Sequence, residues 1–206
     1  MVELNLASND LCQKPTFKRS LTTPELTGVF AIANAIPTMG ALEKLLMGAN
    51  GFKGFEAGKA LGDAISVNTV LKELDISGGL FSDEECDAAF FKGFSPGLGA
   101  NGALSSVNMG YNNIGSEGAK VVAEALRVSP TTILANLDMS SNKIDDDKDC
   151  LESFVRLTIE RPSIVHIDFA QNGIHAEIVT TLCTANGKQQ AGESPCHCLC
   201  EKLAHT

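Results

Sequence analysis

Apolar residues return along this chain at places 1, 4, 6 and 11 of an eleven-residue pattern. Six segments carry it: MVELNLASNDL from Met1, LEKLLMGANGF from Leu42, LKELDISGGLF from Leu71, LSSVNMGYNNI from Leu104, LANLDMSSNKI from Leu134 and IVHIDFAQNGI from Ile164. Place 9 is Asn9, Asn50, Asn112, Asn142 and Asn172, with Gly79 as the one exception, and the intervals are 41, 29, 33, 30 and 30 residues. Places 4 and 6 point one way and places 3, 5 and 7 the other, the period of a short strand. Between the motifs lie stretches with helical spacing. In GSEGAKVVAEALRVSP, Ala119, Val122, Ala123 and Leu126 share a face, Ser116 is the expected cap and Pro130 stands past the end. Ser82 with Glu85 reads as a capping box, and Thr23 with Pro24 as a cap followed by a first-turn proline.

A motif repeated at this interval predicts a strand and a helix per repeat, each repeat burying its neighbour's face. The pattern L-x-x-L-x-L-x-x-N-x-L resembles that of the leucine-rich repeat family. The period near 30 is similar to its ribonuclease-inhibitor-like subclass. The resemblance covers residues 1–185 and implies an α/β solenoid: a curved horseshoe segment of about six repeats, parallel strands on the concave face and helices on the convex face. It also implies that the place-9 asparagines are structural, their amides bonding the backbone of neighbouring turns. Residues 186–206 leave the pattern and read as a polar, cysteine-containing tail.

One short stretch competes with this reading. GLGANG, Gly97 to Gly102, has the spacing of a dinucleotide-binding loop. Such a loop needs a strand before it and a helix after it, so that free helix amides meet the pyrophosphate. Here a helical stretch expected to end near Phe91 precedes it and the Leu104 motif follows. The order is reversed, and the glycines are expected in a lengthened return loop.

Composition narrows the class of partner. A net charge of −9 excludes nucleic acid and anionic membrane surfaces as natural ligands. No apolar run reaches the roughly 18 residues of a membrane span. Seven cysteines, an odd number, read as reduced thiols of a cytoplasmic protein rather than a disulfide framework. The first motif starts at Met1 with no polar cap. This leads us to expect a segment of a larger protein, or additional repeats or a subunit covering Met1, Leu4 and Leu6. Cys12 to Thr23, with Lys14, Lys18 and Arg19, forms an insertion in the longest interval.

Candidate sites follow from the outward places. Asp75, Asn108, Asp138 and Asp168 at place 5, with Tyr111 and His166 nearby, make a partner-binding surface for another protein carrying a basic patch. The alternative for the carboxylates is a solvated structural row. DDDKD, Asp145 to Asp149, lacks the glycine and glutamate of a calcium loop and reads as helix capping. Cys196, Cys198 and Cys200 beside His197 are weak metal candidates, since the usual C-x-x-C spacing is absent. No catalytic set and no cofactor is expected, so the reading is a non-enzymatic scaffold. The alternative is a GTPase-activating accessory protein resembling Ran GTPase-activating proteins, with Arg19 as its unassigned arginine.

Overall fold

A computed structural model describes residues 2–9, 11–12, 26–79, 85–175 and 177–178. Within them the motifs become strands β1 (Glu3–Asn5), β2 (Lys44–Leu46), β3 (Glu73–Asp75), β4 (Ser106–Asn108), β5 (Asn136–Asp138) and β6 (His166–Asp168). Helices α1 (Thr27–Ala35), α2 (Phe55–Ser66), α3 (Ala88–Ala100), α4 (Gly115–Val128) and α5 (Lys148–Glu160) alternate with them. The strands form one parallel sheet in chain order, β1 to β6. Each place pairs with the same place of the next repeat, as in Asp75↔Asn108 and Asp138↔Asp168.

The core lies between the sheet and the helices. Places 1, 4 and 6 of repeats 2 to 6 are all buried, from Leu42, Leu45 and Met47 to Ile164, Ile167 and Phe169. Ala119, Val122, Ala123 and Leu126 of α4 are fully buried, as their spacing predicts. Strands separated by about 4.8 Å and helices needing about 8–10 Å put the strands on the inner side of the bend. Four phenylalanines fill the middle repeats. Phe90 stacks on Phe52 and on Phe94 with ring centroids 5.8 Å apart in both pairs, and Phe91 meets Phe90 edge-on.

The structure corrects the reading of GLGANG. α3 does not stop near Phe91 but runs to Ala100, so Gly97 and Gly99 belong to its last turn rather than to a return loop. Pro96 is tolerated inside α3 because it lies on the exposed face, as does Lys92, whose carbonyl loses its donor. Glycines let α2 and α3 approach closely. A β-carbon on Gly97 would sit 2.0 Å from the Gly62 carbonyl oxygen, and one on Gly58 would sit 1.8 Å from that of Phe90. The extra length of the third interval lies before the helix. Nine positions separate Gly79 from Ala88, against three between Asn112 and Gly115 (88 − 79 and 115 − 112).

Helix starts differ from the sequence reading too. Asp87 caps α3, accepting a 2.7 Å bond from the Phe90 amide. Ser82, Thr23 and Pro24, expected at helix starts, lie outside the described residues. Ser116 does not cap α4. The cap position is Ile114, and the Ser116 hydroxyl donates to the Ile144 carbonyl of the next repeat. Of the acidic run, Asp147 caps α5 through the Cys150 amide at 2.8 Å and Asp149 sits in its first turn. That is the capping role expected.

Candidate protein-binding face

The strand face is built from two rows set by the register. Place 3 reads Glu3, Lys44, Glu73, Ser106, Asn136 and His166 along the sheet, and place 5 reads Asn5, Leu46, Asp75, Asn108, Asp138 and Asp168. Place 7 holds small residues only: Ala7, Gly48, Ser77, Gly110, Ser140 and Ala170. A β-carbon on Gly110 would meet the Ser140 hydroxyl at 2.8 Å and an Asp138 carboxylate oxygen at 3.1 Å, so place 7 is crowded there by neighbouring side chains.

Every polar place-5 side chain closes the same local turn. One side-chain oxygen accepts the place-7 amide: Asn5 from Ala7 at 2.9 Å, Asp75 from Ser77 at 2.9 Å, Asn108 from Gly110 at 2.9 Å, Asp138 from Ser140 at 2.8 Å and Asp168 from Ala170 at 2.8 Å. Asparagine and aspartate do this equally well by distance. The bond therefore needs only the oxygen, whereas the charge on Asp75, Asp138 and Asp168 is additional to it. All three are half-buried.

Charge is unevenly spread over the face. Toward the N-terminal end, Lys44 lies between Glu3 at 4.0 Å and Glu73 at 3.3 Å, and Lys72 pairs with Glu43 at 2.7 Å. Toward the C-terminal end, Asp138 and Asp168 face outward beside Asn136 and His166. Tyr111 is not on a strand. It stands on the rim at place 8, 51% exposed, with a left-handed backbone (φ 57°) shared by Ser8, Ala49, Ser141 and Gln171 at the same place. Its carbonyl abuts Gly78, where a β-carbon would lie 1.6 Å away.

The rim is held by the place-9 asparagines. Asn142 donates to the carbonyls of Met109 (2.9 Å), Met139 (3.0 Å) and Ser140 (2.9 Å). Asn172 donates to Met139 and Phe169 and accepts from the Asn142 amide at 2.7 Å. Asn50 and Asn112 bridge their repeats in the same way, through Leu6 and Ile76 carbonyls at 2.8 Å each. Asn9 departs from the expected role: it is exposed and its side chain donates to Ala7 of its own repeat at 3.0 Å, with no described strand preceding β1. In repeat 3, where Gly79 replaces asparagine, Cys86 fills in. Its thiol points at the Ile76 carbonyl at 3.8 Å and its amide donates to Asn112 at 2.7 Å.

A second set of buried amides ties the opposite rim and was not anticipated. Asn68 donates to Ile36 at 3.0 Å, and Asn101 to Ile65 and Asn68 at 2.6 and 2.9 Å, while each side-chain oxygen accepts two amides of the following turn. Each stands three residues before a place-1 leucine, Leu71 or Leu104, and that spacing was the available signal. Asn101, the asparagine of GLGANG, thus has a structural task.

Other chemistry is tied into the fold. Burial pushes the thiols of Cys12 and Cys150 up to about 11 and about 12, and that of Cys86 higher still, so none is a ready nucleophile. Asp146 accepts from the His175 amide at 2.7 Å and from its ring, which holds the carboxyl below its usual range. Among the described residues no three His, Cys, Asp or Glu side chains gather to hold a metal, and no helix is long and apolar enough to cross a membrane. Cys196, Cys198 and Cys200 lie outside the described residues.

Comparison with known proteins agrees with this architecture. Residues 103–123, the fourth strand and much of α4, match the Leucine Rich repeat family. Among solved structures the chain is similar to the Leiomodin-1 Actin-Binding Site 2 (ABS2), with a TM-score of 0.56 at 18% identity over 77% of this chain and 88% of that one. No curated protein matches it. The six parallel strands with alternating helices make the fold an α/β leucine-rich-repeat solenoid.

Proposed function

We propose that this chain is a non-enzymatic scaffold whose strand face binds another protein through a basic patch on that partner. One observation carries the reading. Asn5 and Asn108 close the place-5 turn as well as Asp75, Asp138 and Asp168 do, so three carboxylates hold charge the turn does not use. Opposite charge on a partner is what such a row steers and selects. The fold supports a binding role, and the similar leiomodin structure is an actin-binding site; actin is accordingly one partner to assay. Repeats near 30 residues, with a helix after each of β1 to β5, support the ribonuclease-inhibitor-like subclass. Three buried free thiols support a reducing, cytoplasmic setting.

A GTPase-activating role needs a cationic or positioning group free to reach the nucleotide. Arg127 instead binds Glu124 and Glu160 at 2.8 and 2.9 Å, Arg161 donates to the Arg127 carbonyl at 2.8 Å, and Arg156 lies 3.5 Å from Glu152. Arg19 lies outside the described residues. The scaffold reading is tested by capture from cell extract with the intact chain and with Asp138→Asn/Asp168→Asn, which keeps the turn oxygens. Proteins with basic surfaces should be retained by the first and depleted with the second. Identical captures would overturn the reading.

A further inference from the structure

We propose that two copies of this chain associate through the outer edges of β1, antiparallel about a twofold axis at Leu4. In this sheet the even places turn their backbone groups toward the next strand and the odd places toward the preceding one. The Leu6 and Ser8 amides donate to Leu46 and Gly48 at 2.7 and 2.9 Å, and the Lys44 amide to Val2 at 2.9 Å. Glu3 and Asn5 therefore direct their N–H and C=O groups away from β2, and no described strand pairs there. Such an edge is a template for another strand.

The sequence of β1 matches its own reverse. Antiparallel pairing about Leu4 sets Glu3 opposite the second copy's Asn5, and Asn5 opposite its Glu3. Both are residues whose backbone groups face outward, so these two pairs are the hydrogen-bonded ones and supply four backbone bonds. The Asn5 side-chain oxygen already accepts the Ala7 amide, which leaves its NH₂ to donate to the Glu3 carboxylate across the axis. On the other face, Leu4 meets Leu4 and the exposed Val2 meets Leu6, beside an apolar groove lined by Leu4, Met39, Gly40, Ala41 and Leu42. Pairing about Glu3 would set two carboxylates against each other, and pairing about Asn5 would move Val2 away from Leu6. Only the Leu4 axis matches charge with amide and apolar with apolar.

Sedimentation equilibrium of the full chain, from micromolar concentrations upward, tests this. The chain should pass from monomer to dimer. Glu3→Pro removes an amide that faces away from β2, a substitution edge strands tolerate. It should keep the denaturation midpoint while holding the protein monomeric. Asn5→Asp keeps the turn oxygen, as Asp75 shows, but opposes Glu3 with a second carboxylate. It should weaken the dimer about tenfold at low salt and recover as salt screens the pair. A chain monomeric up to about 1 mM, or dimers of either variant as tight as the parent's at low salt, would overturn the proposal.

Discussion

Asn142 shows how one side chain can decide whether a turn holds. Its amide makes three hydrogen bonds from a fully buried position, to the carbonyls of Met109, Met139 and Ser140. Asn142→Ala should therefore destabilise the fold by about 1–3 kcal/mol, read as a lowered urea midpoint at unchanged slope. The place-9 role was legible through the resemblance to leucine-rich repeats, and it agrees with the need to satisfy a buried amide. Tyr111 was less legible: alternation says which residues face outward but not where the strand ends, and three-residue strands leave place 8 on the rim. The thiols give a second test at this scale. Cys12, Cys86 and Cys150 should resist alkylation at pH 8 in the native chain and react once it is unfolded, as site-resolved mass spectrometry would show. Rapid native labelling of Cys86 would contradict its burial.

Among the elements, α2 and α3 depend most on residues without side chains. Gly58 and Gly62 face the backbone of α3, and Gly93 and Gly97 face that of α2. A methyl group there meets backbone carbonyls, which cannot swing aside as a side-chain tip can. Gly97→Ala should thus cost about 1–3 kcal/mol from overpacking, even though alanine is the better helix former by about 1 kcal/mol. Gly40→Ala, where nothing lies within 4 Å, should leave thermal stability nearly unchanged. This seam explains why α3 was misjudged from sequence. FKGFSPGLGA carries one proline and three glycines, the usual signs of a loop, but here the glycines mark contact between helices and the proline lies on the exposed face. Helix order and the buried face of α4 were readable because leucine, valine and alanine signal burial directly, whereas glycine signals close approach only once the neighbour is known. For the same reason Ser116, a plausible cap by type, proved to bridge to Ile144.

At the scale of the whole molecule, the repeat interval determines the order and register of the sheet, and register alone lines up Asp75, Asn108, Asp138 and Asp168. That row was therefore legible in the sequence; what it binds was not, because strand spacing constrains geometry and leaves the outward residues free to vary. The face is also small. Five gaps of about 4.8 Å and a width of roughly 17 Å give on the order of 400 Å², about half the roughly 800 Å² per partner of a standard interface. Binding through this face should accordingly be weak and sensitive to salt. The most direct test of the scaffold account is a titration of a captured partner at low and high salt, using the parent chain and Asp138→Asn/Asp168→Asn, with urea midpoints measured alongside. The account predicts micromolar affinity for the parent that falls with salt, and at least about tenfold weaker, salt-insensitive binding by a variant of equal stability. Equal affinity and equal salt dependence for the two chains would contradict it.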